Sequence, residues 1–322
     1  MILILTNRRD VHADVICDGL KKWRADYLRI NTEDFPAVAR ASMRYGQDST
    51  DMLWLQSGES YNLSTVETVV FRRPEFPNAQ RLNDEGSGEI VRVEAEHFLW
   101  GILRLLQGKR WVNPLSANRD SDFKPYNLQR AAAHGFITPK TLYSNNASHI
   151  LKFASECNGR LIYKPFDFYT VTGANDSRKT VYTNLISSED INGSIRSLES
   201  VPGIFQEYIE KELEIRLTVI GGRVFACSID SQKSSRGKVD WRRYEFRRDL
   251  YAAFTLPSDI EHLAISYVKA LGLIFGCIDM ILTPAGQYVF LEINPNGQWL
   301  WVDNFTHMPL LETYLDLITS RI

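Results

Sequence analysis

The segment LEIRLTVIGGRVFACSID, Leu213 to Asp230, has little choice of local structure. Two apolar, β-branched runs flank the pair Gly221-Gly222, and paired glycines supply the positive φ that a tight hairpin turn needs. A second hairpin follows in FGCIDMILTPAGQYVFLEINPNG, folding about Pro284, Ala285 and Gly286. The last third of the chain is therefore expected to hold an antiparallel sheet. Both hairpins interrupt their apolar runs with charges. Counting outward from the second turn puts Asp279 close to opposite Glu292. Side chains alternate faces along a strand, so Glu292 and Asn294 point the same way, as do Glu214 and Arg216.

Three oxygen-bearing side chains on one face suit Mg²⁺, which takes a few carboxylates and completes its octahedron with waters and nucleotide phosphates. A solvent-facing edge with chance polar residues is the plain alternative. It fits poorly, because Asp279 and Glu292 sit inside strongly apolar runs where an unpaired charge is costly. The short phosphate motifs are absent: there is no GxxxxGK[ST] loop and no GxGxxG after a strand, and GSGE at Gly86 reads as a turn. HExxH and GxSxG are also missing, against a zinc protease or a common serine hydrolase. Phosphate charge would then fall to single side chains, with Lys124, Lys164 and Arg216 as candidates. Lys164 lies in the strand-like run IYKPF, where an ammonium needs an anion to meet. Lys124, at an exposed helix start, reads equally well as a surface residue.

Upstream, MILILT, YLRIN and TVVFRRP read as strands and the segment Asp10 to Trp23 as a helix, the pattern of a small parallel α/β sheet. EIVRVEAEHFLWGILRLLQG carries apolar residues at helical spacing and stops at Gly108. Turn formers cluster in WVNPLSANRDSDFKP, a domain boundary. A helix through YNLQRAAAHG ends at Gly135, and strand-like RLIYKPF and VYTNLI follow around the polar loop TVTGANDSRK. The fold class is thus α/β and α+β. A chain of 322 residues with 44% hydrophobic residues and a net charge of -2 has a large core and no whole-chain pull toward nucleic acid or anionic membrane. Only KSSRGKVDWRRYEFRR is locally basic. The four cysteines are scattered, which argues against structural zinc or a disulfide framework. MILILTN is too short for a signal-peptide core and no stretch is long enough to span a bilayer, so a cytoplasmic location is the default.

Taken in order, Lys124, Lys164, QEYIEKELEIR, Asp279, Glu292 and Asn294 resemble the ATP-grasp superfamily. The resemblance implies a Rossmann-like pre-ATP-grasp domain over residues 1–115, a central lobe over 116–205 and a C-terminal lobe with the metal site over 206–322. It implies ATP and Mg²⁺ as cofactors, Lys124 and Lys164 on phosphates, Glu207 accepting from the adenine amino group, backbone of Tyr208 and Ile209 on the base edge, and Glu214 at the ribose. The loop FDFYTVTGANDSRK departs from the family pattern, with one glycine where many members have several. RRPEFP, WVNP, HGFITPKTL, IFQEYI, DWRRY and FLEINPNGQWLW resemble, more narrowly, the ligases that macrocyclise ribosomal peptides of the microviridin (graspetide) kind.

That narrower resemblance implies a precursor peptide, leader plus acidic core, as substrate. Asp or Glu side chains would be joined to Thr or Ser hydroxyls, or Lys amines, as ω-ester or ω-amide rings. Arg216, Arg242 and Arg243 are candidates to hold the acidic core, since guanidinium forks match carboxylates. Arg247 and Arg248 read as solvated. Glu189 and Asp190, in SSEDINGSI, read first as ordinary acids of a capped helix start; the resemblance adds contact with a basic leader residue. It also implies a homodimer and no nucleic acid. Two other functions stand beside this one: a ligase adding free glutamate or another amino acid at the same ATP site, and a non-catalytic protein whose basic segment 233–248 binds nucleic acid, which leaves Asp279, Glu292 and Asn294 unexplained.

Overall fold

Five buried residues in a row, Ile2–Thr6, make the first strand (β1), and full burial is what a central parallel strand requires. The computed structural model describes residues 1–46, 50–75, 85–167, 170–172, 178–180, 182–234, 237–243 and 247–320. After β1 come α1 (Val11–Lys22), β2 (Tyr27–Asn31), β3 (Arg40–Tyr45), β4 (Thr50–Gln56), β5 (Glu59–Asn62), β6 (Thr68–Phe71), α2 (Glu85–Leu105) and β7 (Arg110–Val112). The parallel sheet runs β2-β1-β6-β7, and β3, β4 and β5 form a separate antiparallel sheet. Asp10 caps α1 through its side chain, so the helix begins one residue later than the sequence suggests. GSGE is not a turn: it is the opening of α2. The apolar face of that helix, through Leu99, Ile102 and Leu103 in the core, outweighs the helix cost of two glycines.

The chain continues through α3 (Leu115–Asp120) and α4 (Lys124–His134), which stops at Gly135 with φ 108. Next come β8 (Thr141–Ser144), α5 (Ala147–Glu156), β9 (Leu161–Lys164), β10 (Thr170–Thr172), β11 (Arg178–Thr180), β12 (Asn184–Ile186), α6 (Ser188–Gly193), α7 (Ile195–Ser200) and β13 (Gly203–Glu207). The antiparallel sheet β12-β9-β13-β8 packs on these helices through Ile150, Leu161, Ile191 and Phe205. Its strand β13 ends at Glu207, two residues past the boundary drawn at 205.

The predicted hairpins are present as β14 (Leu213–Ile220) with β15 (Arg223–Ile229), and, beyond β16 (Tyr251–Ala253) and α8 (Ser258–Ala270), as β17 (Phe275–Leu282) with β18 (Tyr288–Asn294). Of the pair in the first turn only Gly221 takes a positive φ, 63°, and Gly286 in the second turn takes 76°. The five strands order as β16-β15-β14-β17-β18. Helices α9 (Leu300–Thr306) and α10 (Leu310–Thr319) then fold back onto α1. One core joins Ile4, Ile16 and Leu20 to Phe275, Trp299 and Tyr314, so the parallel sheet is fixed against the C-terminal lobe. Among the described residues no helix is long and apolar enough to cross a membrane.

Candidate active site

The C-terminal sheet sets the site by register. Arg216 on β14 pairs with Asp279 on β17, and Asp279 pairs with Glu292 on β18, so three charged residues form one row across adjacent strands. Plain counting from the turn would put Leu291 opposite Asp279; a β-bulge shifts the register by one and delivers Glu292 instead. It also lets Phe290 and Ile293 both enter the core, while Leu291 and Glu292 both face the cleft.

The Arg216 guanidinium donates to both oxygens of Asp279 at 2.9 and 2.8 Å and to the Gln298 carbonyl at 3.1 Å. Burial opposes its charge, but Asp279 holds its pKa above the ordinary value. Glu292 meets Lys124 at 3.5 Å and Arg242 at 3.8 Å. Lys124, the first residue of α4, is turned toward the site by this ion pair with Glu292 and lines neither of its two clefts. Lys164, the last residue of β9, faces the same cleft as Glu292, and burial draws its pKa down to about 8. Asn294 borders the next cleft, its side-chain oxygen accepting from the Asn296 amide at 2.9 Å.

Two clefts meet here. The first, about 660 Å³ with its open mouth, is lined by Lys164, Glu207, Tyr208, Ile209 and Glu214 on one side and by Arg242, Asp279 and Glu292 on the other. Glu207 already accepts from the Lys140 amide at 2.7 Å through one carboxylate oxygen. The Tyr208 amide is committed to the Arg160 carbonyl at 3.0 Å, so any contact this residue makes with a base edge is through its carbonyl. Glu214 is paired with buried Lys211 at 2.9 Å. Burial raises its pKa and Lys211 opposes that.

The second cleft shares Trp241, Arg242, Asp279 and Glu292 with the first and adds an aromatic wall. Trp241 of DWRRY and Trp301 of GQWLW meet there with ring centroids 5.0 Å apart, and Tyr251 stacks on Phe305 at 4.8 Å. Arg242 is aimed by Asp240, whose carboxylate accepts from its Nε and Nη2, both at 2.9 Å, and from the Thr183 amide at 3.0 Å.

Arg243 lies apart from Arg242. Its guanidinium turns to the central lobe, donating to the Thr183 carbonyl at 2.9 Å and to Asn184 and lying over the Tyr182 ring, and it lines neither cleft. The two arginines of this turn diverge, so Arg242 reaches the clefts and Arg243 does not. Arg247 and Arg248 pair at the surface with Asp249 and His307. Asp190 completes a capping box with Ser187, and Glu189 is exposed beside it. Much of the loop after Lys164, with Phe76, Pro77 and Tyr244 of the quoted motifs, lies outside the described residues.

Sequence reasoning passed over Lys211 and Asp240. Lys211 could have been found as the i−3 partner of Glu214, and Asp240 as the acid beside two arginines.

Residues 1–119 match the MvdD pre-ATP grasp domain, and residues 134–310 match the RimK-like ATP-grasp domain. The chain belongs to the RimK-like ATP-grasp family. In fold it resembles the RiPP-associated ATP-grasp ligase of Chryseobacterium gregarium, solved with ADP and a leader and core peptide, at TM-score 0.90 and 26% identity over 98% of this chain and 96% of that one. Macrocyclase MdnC of Microcystis aeruginosa MRC, bound with precursor peptide MdnA, superposes at TM-score 0.86 and 25% identity over 98% of each chain. Macrocyclase MdnB of the same organism does so at 0.81 and 27% over 99% of each. No curated protein sequence matches this ATP-grasp chain.

The metal expectation can be weighed on the donor set. Among the described residues no three His, Cys, Asp or Glu side chains are grouped to hold a metal. Two carboxylates and the Asn294 amide in adjacent register are all hard oxygen donors, which fits a cation that also takes phosphate oxygens.

Proposed function

We propose that this protein is an ATP-dependent ligase that activates Asp or Glu side chains of a ribosomal precursor peptide and closes them into ω-ester or ω-amide rings. The observation that carries the reading is the shared wall between the two clefts: Arg242, Asp279 and Glu292 belong both to the cleft that holds Glu207, Tyr208 and Glu214 and to the aromatic one. A phosphoryl group at the inner end of one and a peptide carboxylate in the other would meet at that wall.

The balance is simple. A carboxylate oxygen attacks the γ-phosphorus and ADP leaves; a hydroxyl or amine then attacks the acyl carbon and inorganic phosphate leaves. The peptide loses one water for each ring. Lys124 and Lys164 are assigned to phosphate oxygens, offsetting charge on the transferring group. Arg216 is assigned to orienting Asp279, and Arg242 to the incoming carboxylate. Glu207, Tyr208 and Ile209 take the adenine edge and Glu214 the ribose. Asp279, Glu292 and Asn294 would hold Mg²⁺, which when bound supplies electrophilic activation of the phosphoryl group. Arg243 is reassigned to clasping the lobes together. Glu189 and Asp190 keep their place as the acidic contact for a basic leader residue. Homodimerisation and a cytoplasmic setting complete the reading.

The test is the intact mass of the acidic peptide encoded beside the gene after incubation with enzyme, ATP and Mg²⁺, with ADP followed in parallel. Loss of water together with ADP formation is expected. An unchanged peptide with free glutamate incorporated elsewhere would move the activity to an amino-acid ligase. No ADP under either condition would end the ligase reading.

A further inference from the structure

The parallel sheet reverses its winding between β1 and β6, because β2 lies on one side of β1 and β6 on the other. Such a reversal opens a crevice beyond the carboxyl ends of the strands, the place where ligands bind in open α/β sheets. Here that crevice is an open volume of about 1290 Å³, walled by Asn7 and Arg9 after β1 and by Arg72 and Arg73 after β6. Asn7, Arg9 and Arg72 line neither of the two clefts.

The crevice has an excess of donors. Arg72 is 1% exposed, and among the described residues none of its three guanidinium nitrogens has a hydrogen-bond partner. Its ion pair with Asp10 is loose, at 3.5 Å, and that carboxylate already accepts from the Thr6 hydroxyl at 2.7 Å and the His12 amide at 3.1 Å. A buried guanidinium with donors to spare is costly unless an anion completes it. Arg73, one residue on, is exposed, and its side chain borders both the crevice and the aromatic cleft that contains Arg242 and Glu292. The other charges on the wall are largely engaged or weakened. Arg9 and Glu75 pair with each other at 3.3 Å, and burial together with Asp167 pushes the Asp122 carboxyl up to about 6.

We propose that the crevice is a second carboxylate site for the peptide substrate, in which Arg73, backed by Arg72, holds an acidic side chain that is not reacting. The inference rests on the peptide-ligase reading and deepens it. Two acidic side chains held at once, one by Arg73 and one by Arg242, fix the register of the chain between them. The crevice therefore selects which of several carboxylates is activated, and a peptide with one acid gains nothing from it.

The experiment compares wild type, Arg73→Gln and Arg73→Lys. The substrates are the acidic peptide encoded beside the gene and a version in which all core acids but one are replaced by Asn or Gln. Arg73 is exposed, so neither variant threatens folding. For Arg73→Gln the KM of the natural peptide should rise about tenfold or more, as for loss of a charged hydrogen-bonded contact. The KM of the one-acid peptide should rise by a clearly smaller factor, that of ATP should not follow the natural peptide's, and Arg73→Lys should recover part of the loss. An equal rise with both peptides would overturn the proposal by putting Arg73 on the reacting carboxylate, and no rise with either would make it a solvated side chain. Failure of wild type to convert the natural peptide would sink the ligase reading itself, before any variant is compared.

Discussion

Glu292 is where the electrostatics of the site can be measured directly. Its carboxylate lies 3.5 Å from the Lys124 ammonium and 3.8 Å from the Arg242 guanidinium, with 21% of the side chain exposed. Burial alone would raise its pKa, yet Lys124, Arg242, Lys164 and Arg216 together hold it at about 2, down from an ordinary 4.5. At about 1.4 kcal/mol per pKa unit, that depression is about 3 kcal/mol of folded-state stabilisation. The folded carboxyl titrates below the unfolded one, so the contribution is complete above pH ~4.5, is roughly halved near pH 3 and is lost as pH falls through ~2. Glu292→Gln keeps the shape and removes the charge. In nucleotide-free, chelator-treated protein at pH 7 it should cost about 3 kcal/mol, a fall of several degrees in Tm. Denaturation of both proteins across pH 3 to 7 would show the gap closing toward acid. The same variant should lose metal-dependent turnover while remaining folded. A stability gap that is flat with pH, or product formed at the normal rate, would refute the assignment of Glu292.

Three further outcomes follow from the same geometry. Arg242→Ala should impair ring formation at least about tenfold more than it weakens ATP binding, because it removes a charge-assisted contact to the peptide carboxylate; equal losses in single-turnover rate and nucleotide Kd would place Arg242 at the nucleotide. Lys164, with its pKa lowered to about 8, loses its charge as pH rises through that value, so nucleotide affinity should fall above pH 8 and Lys164→Met should flatten that limb in a titration series. Gly297→Ala would put a Cβ 2.4 Å from that of Cys277 and 2.8 Å from the Arg216 guanidinium, so stability should drop by about 1–3 kcal/mol and activity should fall with it; a fully active variant would show that the loop's seat on Arg216 is not needed.

Periodicity carried the sequence reading a long way, and it failed where backbone irregularity or tertiary closure decides. The two hairpins were legible because a glycine turn and apolar alternation point to one pairing. The nearness of Asp279 to Glu292 was legible for the same reason, although the bulge at Leu291 that makes them direct partners has no signature in an apolar strand; the pairing of Arg216 with Asp279 was not, because it joins the two hairpins and no turn records it. GSGE misled because glycine is judged locally, whereas α2 is held by packing farther along its length. That Arg242 and Arg243 part company was not legible, because neighbouring arginines in a turn look alike until one of them finds Thr183 and Asn184. Lys211 and Asp240 went unnoticed because their value lies in aiming Glu214 and Arg242, and aim is visible only once both partners are placed.

The ionic contacts of the site also say how its ligands depend on one another. Asp279 is taken up by Arg216, and Glu292 by Lys124 and Arg242, so the carboxylates and the cations of the cleft satisfy each other. A cation seated on Asp279 and Glu292 would compete with those arginine and lysine contacts and leave buried positive charge short of a partner, at a cost of several kcal/mol. A polyphosphate drawn to Lys124 and Lys164 would do the reverse and leave Glu292 without its nearest counter-charge. With both present the pairs would be exchanged rather than broken: phosphate oxygens would take the lysines and the carboxylates would keep a positive partner. On the proposed assignment, nucleotide and divalent cation would therefore each be the condition for tight binding of the other. The coupling is contained in the one row of residues that the bulge brings into register.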